Sequence, residues 1–191
     1  MTKFCITLLA LAALVGLARA DDFLANGGFE QGLETGWSDS VYSLAGTSFF
    51  ECTDSLGQPT PGFAARVRKD LASFAMLQQT VTVPGVGLVF SFDGRFRIGG
   101  GSSTCWPVAT VILRYLNAAD VELGNTKFIL HNEFCTWGNN DTAHLIEITT
   151  PEQWGHYDLN ITQEITEKLP GVNAADVARV RVEIYAYDNG T

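Results

Sequence analysis

The chain has 191 residues, with 12 lysine or arginine residues against 21 aspartate or glutamate residues and a formal net charge of −9. A surface this acidic repels phosphate backbones, which argues against a nucleic-acid partner. The length is typical of one domain that buries its own core, so disulfides are not required for stability.

The first 20 residues have the pattern of a cleavable secretion signal. Lys3 precedes an apolar run that is broken only by Thr7, and Ala18-Arg19-Ala20 is a small-x-small cleavage site. The run is short for a membrane span, so a retained anchor is the less favoured alternative. We predict a secreted chain without a membrane span, in which residues 1–20 are removed and residues 21–191 form a single β-sandwich domain.

A glycine-rich stretch follows the leader over residues 26–37. Four glycines in this stretch mark backbone that turns tightly, and Phe29 and Trp37 are large apolar side chains on either side. We predict a folded loop anchored by these two rings, not a flexible linker.

The rest of the chain alternates apolar and polar residues with a period of two. Short segments rich in β-branched and aromatic residues are separated by Gly, Pro, Asn and Asp, which predicts an all-β antiparallel sandwich or jelly roll. One short helix is expected over residues 163–169, because Pro170-Gly171 ends it. The predicted strands are 63–67, 76–83, 86–92, 108–116, 127–134, 143–148, 156–161 and 177–187.

Three cysteines remain once Cys5 leaves with the leader. Residues 108–116 and 125–134 read as a hairpin, and Cys105 and Cys135 lie almost symmetrically about its turn. We predict a Cys105–Cys135 bridge, with Cys52 either free and buried or joined to another chain by a disulfide. The alternative pairs Cys52 with either of the other two.

Several motifs follow one another in a recognisable order. They are Asn-Gly-Gly-Phe-Glu opening 26–37, Gly-Phe-Ala-Ala-Arg-Val at 62–67, Leu-Gln-Gln at 77–79, Leu-Val-Phe-Ser-Phe at 88–92, a tryptophan and strand at 154–161, and the strand 180–187. This order resembles that of the carbohydrate-binding modules of the cellulase-C type, which belong to the galactose-binding-like jelly-roll group. The resemblance implies a sugar-binding jelly roll.

Two further expectations follow from that resemblance. Family members close with a strand that carries paired aspartates, which the residues 188–191 do not provide, so either the sandwich lacks its final strand or the sequence is incomplete. The glutamate of the Phe-Glu motif, here Glu30, commonly helps to hold a structural calcium. The alternative is that Glu30 is a surface carboxylate hydrogen-bonded within its own loop.

A sugar site needs exposed aromatic platforms with polar groups around them. Trp37 and Trp154 occupy motif positions and are expected in the core, which leaves Trp106 and Trp137 as the favoured platform. A bridge between the neighbouring cysteines would hold both indoles rigid. The further candidates are Tyr42 and Phe49-Phe50 as platforms, and Arg95, Arg97, Asn139, Asn140 and Asp141 as hydrogen-bonding groups.

No catalytic motif emerges from the chain. Gly-x-Ser-x-Gly is absent, no compact carboxylate constellation is visible, and the three histidines have no metal-ligand spacing. We therefore predict a non-catalytic protein that binds a polysaccharide or another glycan, with a glycoside-acting enzyme as a less favoured reading. Histidines 131, 144 and 156 are expected on strand faces or edges.

The second candidate function is structural or adhesive, through contacts with other proteins. The odd cysteine, Cys52, suits a disulfide-linked partner. Asn140, Asn160 and Asn189 each begin an Asn-x-Thr acceptor pattern for glycosylation, and Asn160 is the least credible of them because it falls inside a predicted strand.

Overall fold

The computed structural model describes residues 22–42, 46–55, 57, 62–71 and 73–190. The predicted leader, residues 1–20, lies outside them and stays a prediction, as does the single-domain assignment of residues 21–191. The described elements are β1 (Ser38–Tyr42), β2 (Thr47–Thr53), β3 (Ala64–Asp70), β4 (Ser73–Thr82), β5 (Val89–Arg95), β6 (Pro107–Leu116), β7 (Glu122–His131), β8 (Ala143–Glu147), β9 (Trp154–Asn160), α1 (Ile161–Lys168), a 3-10 turn (Ala174–Asp176) and β10 (Arg179–Asp188).

Six strands form one large sheet in the order β1-β4-β10-β6-β7-β8. Its centre is antiparallel, and Val182 of β10 lies between Gln79 of β4 and Leu113 of β6. The predicted hairpin is present, since β6 and β7 pair from Val108 opposite His131. The edge strand β8 departs from the prediction, because it runs parallel to β7.

The second layer consists of two antiparallel pairs, β2 with β3 and β5 with β9. Alternate side chains of these strands meet those of the large sheet in one apolar cluster, as the period of two requires. Leu77, Leu113 and Phe128 of the large sheet share this cluster with Phe92 and Leu159 of the second layer. The predicted all-β sandwich is confirmed, with one parallel strand pair in an otherwise antiparallel arrangement.

The glycine-rich stretch folds as a loop on the edge of this core. The rings of Phe29 and Trp37 lie 5.1 Å apart, and the Trp37 indole donates to the Asn26 carbonyl (3.2 Å). Gly36 has a φ of 80°, and a side chain there would press on Ala25. Phe29 and Trp37 both pack in the core cluster, which confirms them as anchors.

The helix α1 follows directly from β9. Asn160 caps it by accepting a hydrogen bond from the backbone N–H of Gln163 (3.1 Å), and Leu169 ends it. The predicted helix over 163–169 is therefore confirmed within two residues. Within the described ranges, no helix has the length and apolar character needed to cross a membrane.

A buried polar chain attaches α1 to the large sheet. The Tyr115 and Thr126 hydroxyls lie 3.0 Å apart, Thr126 donates to the Glu164 carboxylate (2.7 Å), and His144 Nδ1 lies 2.6 Å from the same oxygen. Burial raises the pKa of Tyr115, so its hydroxyl stays protonated. Because these groups satisfy one another, the helix is fixed over β7 and β8.

Candidate functional site

The large sheet has a second face, turned away from the core, which we call the outer face. On β10, Val180, Val182 and Ile184 point into the core cluster. Because side chains alternate along a strand, the residues between them point the other way. The outer face of this strand therefore carries Arg181, Glu183, Tyr185 and Tyr187.

Aromatic rings form a continuous series along one end of the outer face. Tyr42 stacks on Phe74 with ring centroids 6.2 Å apart, and Phe74 stacks on Tyr185 at 5.3 Å. Tyr185 and Tyr187 follow at 6.4 Å with an interplanar angle of 14°. The series connects three neighbouring strands, because Tyr42, Phe74 and Tyr187 occupy the same register across β1, β4 and β10.

Two tryptophans complete the series. Trp106 lies 5.1 Å from Tyr187, and Trp137 lies 6.1 Å from Trp106 and 5.8 Å from Tyr187. Tyr42 is 54% exposed and the other rings are half-buried, so each offers part of its surface to solvent. We call this set the aromatic row: Tyr42, Phe74, Trp106, Trp137, Tyr185 and Tyr187.

Both predicted platform residues, Trp106 and Trp137, therefore lie in one cluster, but part of each ring is covered by neighbouring side chains. Trp106 and Trp137 pack against the buried side chains of Val108, Ile129 and Leu145. Such packing restricts their rotamers, and a restricted ring loses little entropy when it contacts a ligand. The two tryptophans thus have a packing role in this structure, and their role as a sugar platform stays a prediction.

A charged group lies beside the aromatic row on the same face. Arg114 Nε donates to Glu183 Oε1 (2.7 Å), and Arg114 Nη1 donates to Glu122 Oε2 (2.8 Å). Asn125 donates to the second oxygen of Glu122 (2.7 Å) and accepts a hydrogen bond from the Lys127 amine. We call these five residues, Arg114, Glu122, Asn125, Lys127 and Glu183, the polar centre.

Burial changes the acid–base behaviour of this face. For Arg114 it favours a lower pKa, but hydrogen bonds and charges from Glu183 and Glu122 outweigh it and raise the pKa. Burial and the nearby Arg114 lower the pKa of Lys127, whose amine lies 5.6 Å from the centre of the Trp137 ring. Burial and Tyr187 raise the pKa of Tyr185 to about 12, so its hydroxyl remains a donor at neutral pH.

The least satisfied group of the polar centre is Glu183. Its side chain is 2% exposed and Oε1 is held by Arg114. Its other oxygen, Oε2, is shielded from solvent and has no hydrogen-bond partner within the described part of the chain. Buried carboxylate oxygens in folded proteins are nearly always satisfied, so this atom has the capacity to accept one further hydrogen bond.

The predicted Cys105–Cys135 bridge is wrong: both residues are free thiols in this structure, as is Cys52. The pairing of β6 and β7 ends at Val108 and His131, and the backbone turns away between each of these residues and its neighbouring cysteine. Cys105 bonds back to Ser102 and its thiol donates to Asp188 (3.2 Å), whereas the Cys135 N–H closes a turn on the Asn132 carbonyl (3.2 Å). Packing and hydrogen bonds, not a crosslink, hold the two indoles.

Other predicted site residues lie away from the aromatic row or have local roles. Arg95 is on the second layer, with its guanidinium 5.7 Å from the centre of the Trp154 ring. Asn139 is exposed, and its side-chain oxygen accepts from the Leu145 N–H (2.7 Å), which fixes the loop before β8. Neither joins the aromatic row.

The Asn26–Trp37 loop is closed by its own hydrogen bonds. Asn26 donates to the carbonyls of Gly32 (2.7 Å) and Thr35 (3.3 Å). Among the described residues, no three acidic, histidine or cysteine side chains are grouped for a metal. Glu30 is exposed, and its calcium role stays a prediction.

Cys52 and the acceptor asparagines are engaged within the chain. The half-buried Cys52 thiol donates to the Phe29 carbonyl (3.1 Å), and burial, with the charge of Glu30, raises its pKa. Asn140 accepts from Thr142, Asn160 caps α1, and Asn189 accepts from the Trp106 N–H. Glycosylation at these asparagines and a disulfide partner at Cys52 remain predictions.

The three histidines lie on strands, as expected, and each contacts a carboxylate. His131 lies 3.0 Å from Glu147, and His156 lies 2.9 Å from Asp93. The third, His144, belongs to the buried chain under α1.

Sequence reasoning missed two tyrosines at the centre of the aromatic row. Tyr185 and Tyr187 lie in the predicted strand 177–187, where they alternate with Ile184 and the core valines of β10. That alternation places both tyrosines on the face opposite the core, and it is the signal that could have found them.

Comparison with known proteins gives a likeness in structure and none in sequence. No family model matches the chain, and no curated protein matches it. Among solved structures, it is similar to a family 11 carbohydrate-binding module from Clostridium thermocellum in complex with a beta-1,3-1,4-mixed-linked tetrasaccharide. The identity is 9%, the match covers 81% of this chain and 86% of that chain, and the TM-score is 0.38. The resemblance to the cellulase-C type remains a prediction.

Proposed function

We propose that the protein is a secreted, non-catalytic carbohydrate-binding protein whose outer face holds the glycan. The observation that carries this proposal is the aromatic row beside the polar centre. Sugar rings combine apolar C–H surfaces with many hydroxyls, so they need ring platforms and hydrogen-bonding groups side by side.

The dimensions of the outer face suit an extended ligand. The aromatic row runs across β1, β4 and β10 and ends on the Trp106 and Trp137 loops, so several sugar units can contact different rings. Neighbouring strands lie about 4.8 Å apart, which sets the row at well over 10 Å. A glycan chain, not a single sugar, is the favoured ligand.

The acidic chain and the motif order support the same proposal. A net charge of −9 disfavours nucleic acid, and the motif order resembles that of cellulase-C-type modules within the galactose-binding-like group. Catalysis is not part of the proposal, because the two carboxylates of the polar centre, Glu122 and Glu183, are bonded to Arg114 and do not form an acid–base pair across a cleft.

The test is a glycan array followed by affinity electrophoresis on the polysaccharides that are retained. We expect Tyr185→Ala and Trp137→Ala to weaken binding about tenfold or more, as for aromatic residues at the centre of a contact. Phe49→Ala is the matched control, since Phe49 is an exposed ring of the second layer under Arg66. Absence of any retained glycan, or equal losses with all three variants, contradicts the proposal and favours the adhesive alternative.

A further inference from the structure

We infer that the polar centre selects neutral glycan chains and discriminates against acidic ones, with the free oxygen of Glu183 as the hydroxyl acceptor. This inference rests on the proposed function and adds the class of ligand and the residue that recognises it.

The first step concerns what Glu183 lacks. An ionised carboxylate can only accept hydrogen bonds, and Oε1 already has its donor in Arg114. The second oxygen, Oε2, has no hydrogen-bond partner in the described residues, and the side chain is only 2% exposed. A ligand that binds here gains most by bringing a donor.

The second step concerns the charge of that donor. A sulfate or uronate group offers only acceptors and would meet the like charges of Glu183 and Glu122. An ammonium group would meet Arg114 and Lys127, which flank the same position. A neutral hydroxyl avoids both repulsions, so the polar centre fits a sugar whose edge carries free hydroxyls.

The third step places that hydroxyl relative to the stacked ring. Glu183 and Tyr185 are two residues apart on β10 and share the outer face, which separates them by about 7 Å. A sugar on Tyr185 therefore directs one edge toward Glu183. Gln78 and Lys127 are the long side chains of the same cross-sheet row as Glu183. Because Oε2 is shielded from solvent, the inference requires a rotamer change of one of these side chains when the hydroxyl binds.

The experiment compares neutral and anionic polymers on the same backbone. The probes are hydroxyethyl cellulose against carboxymethyl cellulose, and dextran against dextran sulfate, together with any neutral glycan retained on the array. Affinities are measured near 1 M NaCl as well as at low salt, because a Debye length of about 3 Å removes the long-range repulsion from the acidic chain as a whole. We expect wild type to prefer the neutral member of a bound pair under both conditions.

The variants separate this inference from the proposed function. Glu183→Gln keeps the size of the side chain and removes its charge, and we expect about tenfold weaker binding of the neutral glycan and a reduced preference over the anionic one. Glu152→Gln is the control, because this exposed carboxylate pairs with Arg97 away from the outer face. Thermal melting of each variant confirms that it is folded.

Each outcome has a distinct meaning. If Tyr185→Ala loses binding while Glu183→Gln binds like wild type, the inference is wrong and the proposed function stands. A wild-type preference for the anionic polymer at high salt also overturns the inference, and this result does not depend on whether Glu183→Gln folds. If no polysaccharide or array glycan is retained, both are overturned together.

Discussion

The sandwich buries two glutamates near the same sheet, and their surroundings differ in kind. Glu164, on the helix that covers the inner face, is 6% exposed and receives Thr126 and His144. Glu183, on the outer face, is 2% exposed and keeps one oxygen without a partner among the described residues. Glu164 is hydrogen-bonded by its own chain and stabilises the fold. Glu183 keeps an unpaired oxygen beside the aromatic rings, and this difference is the basis of the inferred ligand contact.

The largest effect should come from the apolar core of the inner face. Leu113→Ala removes a fully buried side chain of β6, and we expect the free energy of unfolding to fall by about 3 kcal/mol in urea denaturation. Val89→Ala is the control, since Val89 is 66% exposed and should change stability by less than about 0.5 kcal/mol. Equal effects of the two variants would contradict the described core.

A smaller effect should come from the polar chain that satisfies Glu164. Thr126→Val removes the hydroxyl between Tyr115 and Glu164 at nearly constant volume, and we expect a loss of about 1–2 kcal/mol in the same assay. Thr110→Val is matched to it, because Thr110 is also buried in this sheet but makes only a long bond to the Val111 carbonyl (3.3 Å). Thr126→Val should be the more harmful of the two, and the reverse order would contradict the structural role of Glu164.

An edge pair of the outer face should add a small, pH-dependent contribution. Burial favours a lower pKa for His131, but the Asn132 carbonyl and Glu147 outweigh it and raise the pKa above 6.5. The raised pKa means that the stabilisation is fully present below about pH 6.5 and is lost as the pH rises through the folded-state value. Melting curves from pH 5.5 to 8 should show a wild-type advantage over Glu147→Gln, below about 1 kcal/mol, that shrinks with rising pH. An advantage that grows instead would rule out this pair.

The smallest effect is expected at the glycine-rich loop. Asn26 already bonds the carbonyls of Gly32 and Thr35, so a chelator should leave the melting temperature unchanged. A rise in melting temperature with calcium chloride that Glu30→Gln abolishes would restore the calcium site at Glu30.

Local patterns predicted most of the strands but missed β1 and β2, and they could not give the non-local pairing of the strands. The period of two located eight strands, including β10, because a strand with one buried face alternates apolar and polar residues. The order of strands is not local: β10 lies between β4 and β6, about 100 and 70 residues earlier in the chain. The parallel pairing of β8 with β7 likewise depends on the path of the loop between them.

The candidate site was predicted in part for the same reason. Trp106 and Trp137 were identified because they lie near the ends of a local hairpin, and they do meet in space. The rings that they contact, Tyr185 and Tyr187, come from a strand far away in sequence. Alternation along β10 indicates the face of these tyrosines, but the strand register is needed to place them beside the tryptophans and Phe74. The predicted Cys105–Cys135 bridge assumed that the hairpin continues past its last residue pair, Val108 and His131. Beyond that pair the backbone turns away on both strands.

The central position of β10 also has a consequence for how the chain folds. Until residues 179–188 are synthesised and pair with the sheet, β4 and β6 each expose an unpaired edge. Tyr185 and Glu183 are then not yet part of the sheet. Pairings across such long stretches of sequence are intrinsically slow to form. The centre of the outer face therefore forms only after residues 179–188 have been synthesised, and the unpaired intermediate is the state in which the chain is most exposed to aggregation.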